Sequence, residues 1–267
     1  TIDLIFEFIF GFNTIGIRSP PYSGRLSGFM GDNLKIGHWY YGLVLIVLAF
    51  NFENKKKFYI ILCVAIITSF LIAERANFIR LILACSFFVF LTKKLTFKSI
   101  LISSILFLII FLIGSQTHAI KERFYHHFLK QFTVNKTFKD FNNSNLYTPM
   151  YLNAYDIFKS NIIFGTGVGT FWNESHKNFE KKEKINGYNI LPNTHPHQYH
   201  FEILANLGLV GYLYLTVFFI YFFSKNIKFY LKTKNKLTLG CFIMLIVFLI
   251  PLLPTGSFFT TYGASIF

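Results

Sequence analysis

The chain has 267 residues, 53% hydrophobic and 20% aromatic, with 36 phenylalanines and a formal net charge of +14. Its mean hydropathy is +0.47. The apolar residues come in blocks of about 17 to 23, the length that crosses a hydrocarbon core, which excludes an ordinary soluble domain. The positive charge does not mark a nucleic-acid surface, because the lysines cluster in short loops between apolar blocks, as topology determinants do.

The fold class expected is an all-α polytopic membrane protein. Residues 1–17 are apolar but broken by Asp3, Glu7, Gly11 and Asn13, which suits an amphipathic helix lying at the membrane interface. Residues 18–33 read as a loop. Spans are expected at 36–52, 58–73, 78–92, 97–114, 201–223 and 237–253. This gives an outer segment and loop at 1–35, four spans within 36–114, a large outer loop at 115–200, and two spans with an outer C-terminal stretch in 201–267. Cys63, Cys85 and Cys241 lie inside apolar blocks, so neither a disulfide nor a Cys-x-x-Cys metal site is expected. The chain shows no initiator Met and no signal peptide, and it ends in an apolar run. It is expected to be a piece of a longer membrane protein.

Orientation follows from lysine. Lys55, Lys56 and Lys57 separate the first two spans, Lys93, Lys94 and Lys98 the third and fourth, and Lys225, Lys228, Lys232, Lys234 and Lys236 the last two. These loops alternate so as to share one side, which is cytoplasmic by the positive-inside rule. The segment 115–200 then faces outward.

All five arginines, Arg18, Arg25, Arg75, Arg80 and Arg123, fall on the outer side or in the first outer turn of a span. Topology signalling does not require arginine, whereas a guanidinium binds phosphate through a planar fork of donors. Snorkelling to lipid headgroups is the plain alternative. Five on one face point to an outward-facing anionic ligand, most simply a lipid phosphate or diphosphate.

Within the outer loop, 121–130 and 149–160 read as helices and 140–145 as a turn. In residues 161–171 the glycines do not make a nucleotide loop, since no Gly-Lys-Ser/Thr follows. A tight turn in which backbone passes close to backbone or ligand fits better. The run 177–184 reads as solvated charge.

The loop then enters an apolar run through Asn193-Thr194-His195-Pro196-His197-Gln198-Tyr199-His200-Phe201-Glu202. Ionisable groups at that depth are costly and signal function. Three readings stand side by side. A metal site is poorly served by the spacing of His195, His197 and His200. Histidines that only cap the span suit His200, His126 and His127 taken singly. General-base chemistry suits a histidine near neutral pKa beside arginines that hold an anionic leaving group.

The motif of residues 194–202, followed by Leu207-Gly208-Leu209-Val210-Gly211, resembles the signature of the O-antigen ligase and Wzy-type O-antigen polymerase superfamily. Upstream, Gly165-Thr166-Gly167 with Phe171, Arg25-Leu26-Ser27-Gly28-Phe29 and Glu74-Arg75-Ala76-Asn77 resemble its other elements, in the same order. The resemblance implies a GT-C-like helical bundle with a large helical periplasmic loop. It implies a glycosyltransferase of surface-polysaccharide (lipopolysaccharide) biosynthesis in the bacterial inner membrane, with its active site facing the periplasm. The donor would be an undecaprenyl-diphosphate-linked glycan and the acceptor another glycan or a lipid A core, with membrane lipid around them and no nucleotide sugar, cofactor or metal. Carried over, His197 is the base, with His195 and Glu202 completing the catalytic set and Glu202 orienting His197. Arg25, Arg75 and Arg80 bind the diphosphate, with Arg123 a weaker match. Gln198 replaces the family's Asn. The other reading is a lipid-linked oligosaccharide flippase, which the near absence of charge inside the spans disfavours.

Overall fold

The computed structural model describes residues 1–20, 23–92, 112, 147–181, 184–185, 188–189, 192–251 and 253–260. Apart from Leu112, the fourth expected span lies outside these residues, as do the expected helix at 121–130, the turn at 140–145, Arg123, His126 and His127. The described residues fall into two compact units. One holds the described residues up to Leu112 together with Ile227–Val247, and the other holds 147–226 and 248–260.

In the first unit, α1 (Ile2–Phe10) is short and amphipathic, as expected, and closes on Gly11 in a left-handed conformation with φ 77°. Its buried Glu7 accepts hydrogen bonds from the Ser19 hydroxyl and from the Gly28 amide, the latter at 2.8 Å. Buried Asn13 donates to the Gly28 carbonyl at 3.0 Å and accepts from the amides of Ile15 and Ile17. These bonds order the following loop without regular structure, giving buried polar groups the partners they need. A single 3₁₀ turn at Gly28–Met30 ends it.

Three apolar helices then pack together: α2 (Ile36–Phe50), α3 (Lys55–Ile72) and α4 (Arg75–Thr92). Asn54 caps α3, its side chain accepting from the Lys57 amide at 3.0 Å. The shared interior contains Leu45, Leu48, Phe58, Leu81 and Phe88, all fully buried, with Phe58 and Phe88 stacked at 6.3 Å. Later in the chain, α8 (Lys236–Phe248) adds to this unit. Tyr41 donates to the Met244 carbonyl at 3.2 Å, and a Cβ on Gly240 would lie 3.2 Å from the Leu45 carbonyl oxygen.

In the second unit, α5 (Tyr147–Ser160) and α6 (Phe171–Lys181) pack through Ala154, Ile157 and Phe171. Asn153 joins them by donating to Ser175 at 2.9 Å and accepting from Asn178 at 3.0 Å. A hairpin of two-residue strands follows, β1 (Lys184–Ile185) with antiparallel β2 (Tyr188–Asn189). The charged residues Lys177, Glu180 and Lys181 on α6 are exposed, as expected for solvated charge, and they stand on a helix rather than in a loop. On α6 the buried Phe171 and Ser175 lie one turn apart, so the charged residues occupy the rest of an amphipathic helix.

The apolar run expected at 201–223 is α7 (Tyr199–Thr233), which is longer than expected and broken at Gly208, where φ is 63° and ψ −165°. Lys225, Lys228 and Lys232 therefore lie in helix, since lysine is a good helix former. At the break, the amides of Thr166 and Gly167 donate to the carbonyls of Ala205 and Asn206 at 3.0 and 2.9 Å. The amides of Leu209 and Val210 donate to the carbonyls of Ile162 and Ile163 at 2.8 and 3.1 Å. Four backbone groups at the break are thus taken up by residues 162–167. A Cβ on Gly165 or Gly208 would collide with the opposite backbone. The close approach of backbone to backbone expected for this loop is what the structure contains.

Helices α4 and α7 are long and apolar enough to cross a membrane, while α2 and α8 are apolar but shorter.

Candidate active site

Among the described residues, two groups of chemically capable side chains occur, one in each unit. The first surrounds the turn between α3 and α4. Ala73 ends α3 with φ 59°, and its amide donates to the Phe70 carbonyl at 3.0 Å. This reversal presents Glu74 at the entrance of α4, where the Phe78 amide donates to the Glu74 carbonyl at 2.9 Å. The Glu74 side chain is buried. Its Oε1 lies 3.2 Å from Nε2 of His38 and 3.9 Å from Nη1 of Arg25. Glycine at position 37 makes room, since a Cβ there would strike the carboxylate. Arg80 is fully buried and donates from Nη1 to Asn77 Oδ1 at 2.8 Å. Burial alone would raise the Glu74 carboxyl, but its pairing with His38 and Arg25 outweighs that and holds the carboxyl below its ordinary value. Arg75 opens α4 and is half-buried, while Arg18 is exposed.

The turn therefore brings Arg25 of the expected arginines to one carboxylate, beside the N-terminus of an 18-residue helix in which the buried Arg80 is held on Asn77. A helix N-terminus and guanidinium donors both favour an anion. His38 and Asn77 were not singled out from the sequence. A titratable residue at the start of an apolar block was the signal available for His38.

The second group leads into α7. His197 adopts φ 56°, an uncommon conformation for a side chain of that size. Its carbonyl accepts from the Thr255 amide at 2.7 Å. The rings of His195 and His197 lie 4.1 Å apart, and Tyr147 meets His197 edge to face at 5.9 Å. Thr194 Oγ1 and His195 Nδ1 share a hydrogen bond of 2.9 Å. Gln198 is buried and caps the helix, its Oε1 accepting from the Phe201 amide at 3.1 Å. An asparagine oxygen can do the same, so the Gln198 departure from the family pattern has a physical reading.

His200 is committed elsewhere. Its Nε2 lies 2.8 Å from the Leu249 carbonyl, which can only accept, and its Nδ1 lies 3.0 Å from the Tyr212 hydroxyl. This is the capping role weighed for it from the sequence. Buried Glu202 accepts from the Ser257 hydroxyl and from the Phe258 amide, the latter at 2.6 Å. The carboxylate holds the stretch at 255–258, which in turn holds His197 through Thr255. That stretch, along with Tyr147, carried no signal in the sequence, because only the fold brings it to the histidines.

A family model described as O-antigen ligase matches residues 41–216, more than half of the chain. The chain belongs to the O-antigen ligase family. No curated protein and no solved structure matches it. Membership places this O-antigen ligase-family chain among membrane proteins of surface-polysaccharide biosynthesis, with glycosyltransferase-like activity on lipid-linked glycan and an acceptor. It gives the flippase reading no support. The matched stretch includes Arg75, Arg80, His195, His197 and Glu202, and leaves out Arg25, His38 and 255–258.

Proposed function

We propose that this chain transfers a glycan from an undecaprenyl-diphosphate carrier to a hydroxyl of a second glycan or of a lipid A core. The reaction faces the periplasm from a multi-pass protein of the bacterial inner membrane. His197 takes the proton of the acceptor hydroxyl as its oxygen bonds to the anomeric carbon. The bond from that carbon to the diphosphate breaks, and undecaprenyl diphosphate leaves with the electron pair. Arginines balance the charge that develops on the leaving group, Arg25 and Arg75 directly and Arg80 from its buried position; Arg123 is assigned to the same role. His195 assists at the neighbouring ring, and Glu202 acts by holding the loop that fixes His197.

The observation that carries this reading is the His195–His197 pair, held at the entrance of α7 by a bond from Thr255 to the His197 carbonyl in a left-handed backbone. Residues held in sparsely populated backbone conformations cluster at active sites and ligand clamps. With His197→Ala, product formation should fall by about 10² to 10⁴ while the amount of folded protein in the membrane is unchanged. Wild-type activity in that variant would remove the assignment. Deleting the gene in its host separates the two acceptors. Loss of long chains with one repeat still attached to core means polymerase, and loss of every attached repeat means ligase.

A further inference from the structure

We propose that Glu74 is the positioning residue of the diphosphate subsite: one carboxylate oxygen sets Arg25 and His38 side by side and fills their site until a diphosphate replaces it. The inference rests on the functional reading above. Glu74 is the carboxylate that meets both Arg25 and His38, and both meet the same oxygen, so they stand within the span of one diphosphate. The two contacts differ in kind. His38 lies at 3.2 Å, within hydrogen-bond reach. Arg25 lies at 3.9 Å, close enough to be attracted but too far for a hydrogen bond, and among the described residues its buried Nε has no partner. A phosphate oxygen that offers full hydrogen bonds would therefore outcompete Glu74 for Arg25.

The carboxylate itself is well fixed. Ala73 and Phe78 set its backbone, and glycine at position 37 leaves space for its head. On the arginine side, the Leu26 amide donates to the Ile72 carbonyl at 3.3 Å, which ties the Arg25 stretch to the end of α3. Three residues on from Glu74, Asn77 accepts from Nη1 of the buried Arg80 at 2.8 Å.

A carboxylate in this place has two opposing effects on an incoming anion. It organises the donors, which helps binding, and it repels the anion, which hinders it. The two are separated by substitution. Glu74→Ala removes both effects, whereas Glu74→Gln keeps an oxygen facing His38 and removes the charge. Binding of inorganic pyrophosphate, and separately of undecaprenyl diphosphate, to the purified full chain in detergent is read by calorimetry. Glu74→Ala and Arg25→Ala should each weaken pyrophosphate about tenfold, and the double variant no further than either alone. Glu74→Gln should bind at least as tightly as wild type.

Wild-type affinity in Glu74→Ala, or additive losses in the double variant, would overturn the proposal. If Glu74→Ala does not fold, tenfold weaker binding in Glu74→Gln overturns it equally. A residue with a merely structural role would shift melting without this split in affinity. Should Arg25→Ala weaken pyrophosphate while the Glu74 variants behave as wild type, only the role of Glu74 fails. Unchanged binding in Arg25→Ala together with an active His197→Ala variant would bring down the functional reading as well.

Discussion

In the turn before α4, side chains hold side chains. Arg25 and His38 meet Glu74, and Arg80 meets Asn77, above a few main-chain bonds such as Leu26 to Ile72 and Phe78 to Glu74. In the loops around α7 the main chain does most of the holding. The helix is broken at Gly208, its freed groups pair with residues 162–167, and the His197 carbonyl is held by the Thr255 amide. The difference teaches where each region is vulnerable. The first is sensitive to a change of charge, the second to an added methyl group. It also suits the roles proposed for the two: an anion clamp needs charges that can re-pair, whereas a base needs a ring held in one orientation.

The comparison makes its largest prediction at Gly208. Its backbone lies in a region open almost only to glycine, and a Cβ would strike Ile163 and Gly165. Gly208→Ala should cost at least about 3 kcal/mol and deplete folded protein in the membrane. Normal levels of folded, active protein in that variant would show that backbone pairing does not set this region. A smaller effect is expected at Ser257, whose hydroxyl donates to Glu202. Ser257→Ala should lower stability by about 1 to 2 kcal/mol and slow catalysis while leaving donor affinity unchanged. Weakened pyrophosphate binding in Ser257→Ala would blur the division of labour.

The smallest effect is a pH dependence that belongs to the turn before α4. The Glu74 carboxyl is held below its ordinary value of 4.5 in the fold. Its contribution to stability is therefore complete above about that pH and is lost as pH falls through the lower, folded value. Thermal melting of wild type should drop towards that of Glu74→Gln as pH falls below about 4.5. A wild type that instead gains stability relative to Glu74→Gln on acidification would remove Glu74 from the ion network.

Much of the helical plan was legible because apolar blocks bounded by lysines leave few alternatives. The starts of α2, α3 and α4 fall within three residues of those expected, and the glycines at 165–169 announced a close backbone approach. The break at Gly208 was not legible. One glycine in an apolar run is tolerated in a helix, and only the facing loop, some forty residues earlier, makes it obligatory. The length of α7 was hidden for a different reason: hydropathy falls at Lys225 although helix propensity does not. At the candidate site, Arg25, Arg80, His197 and Glu202 could be named from residue type and depth. Their partners Glu74, Asn77, Tyr147 and Ser257 could not, because those roles exist only through contacts made by folding.

Arg25, His38 and Ser257 all lie beyond the ends of the stretch matched to the family, residues 41–216. A hybrid that transplants only that stretch into a related transferase would carry over the proposed base, His197, but inherit the host's flanks in place of these three. Its catalytic rate and its grip on the lipid carrier would then answer to different parents.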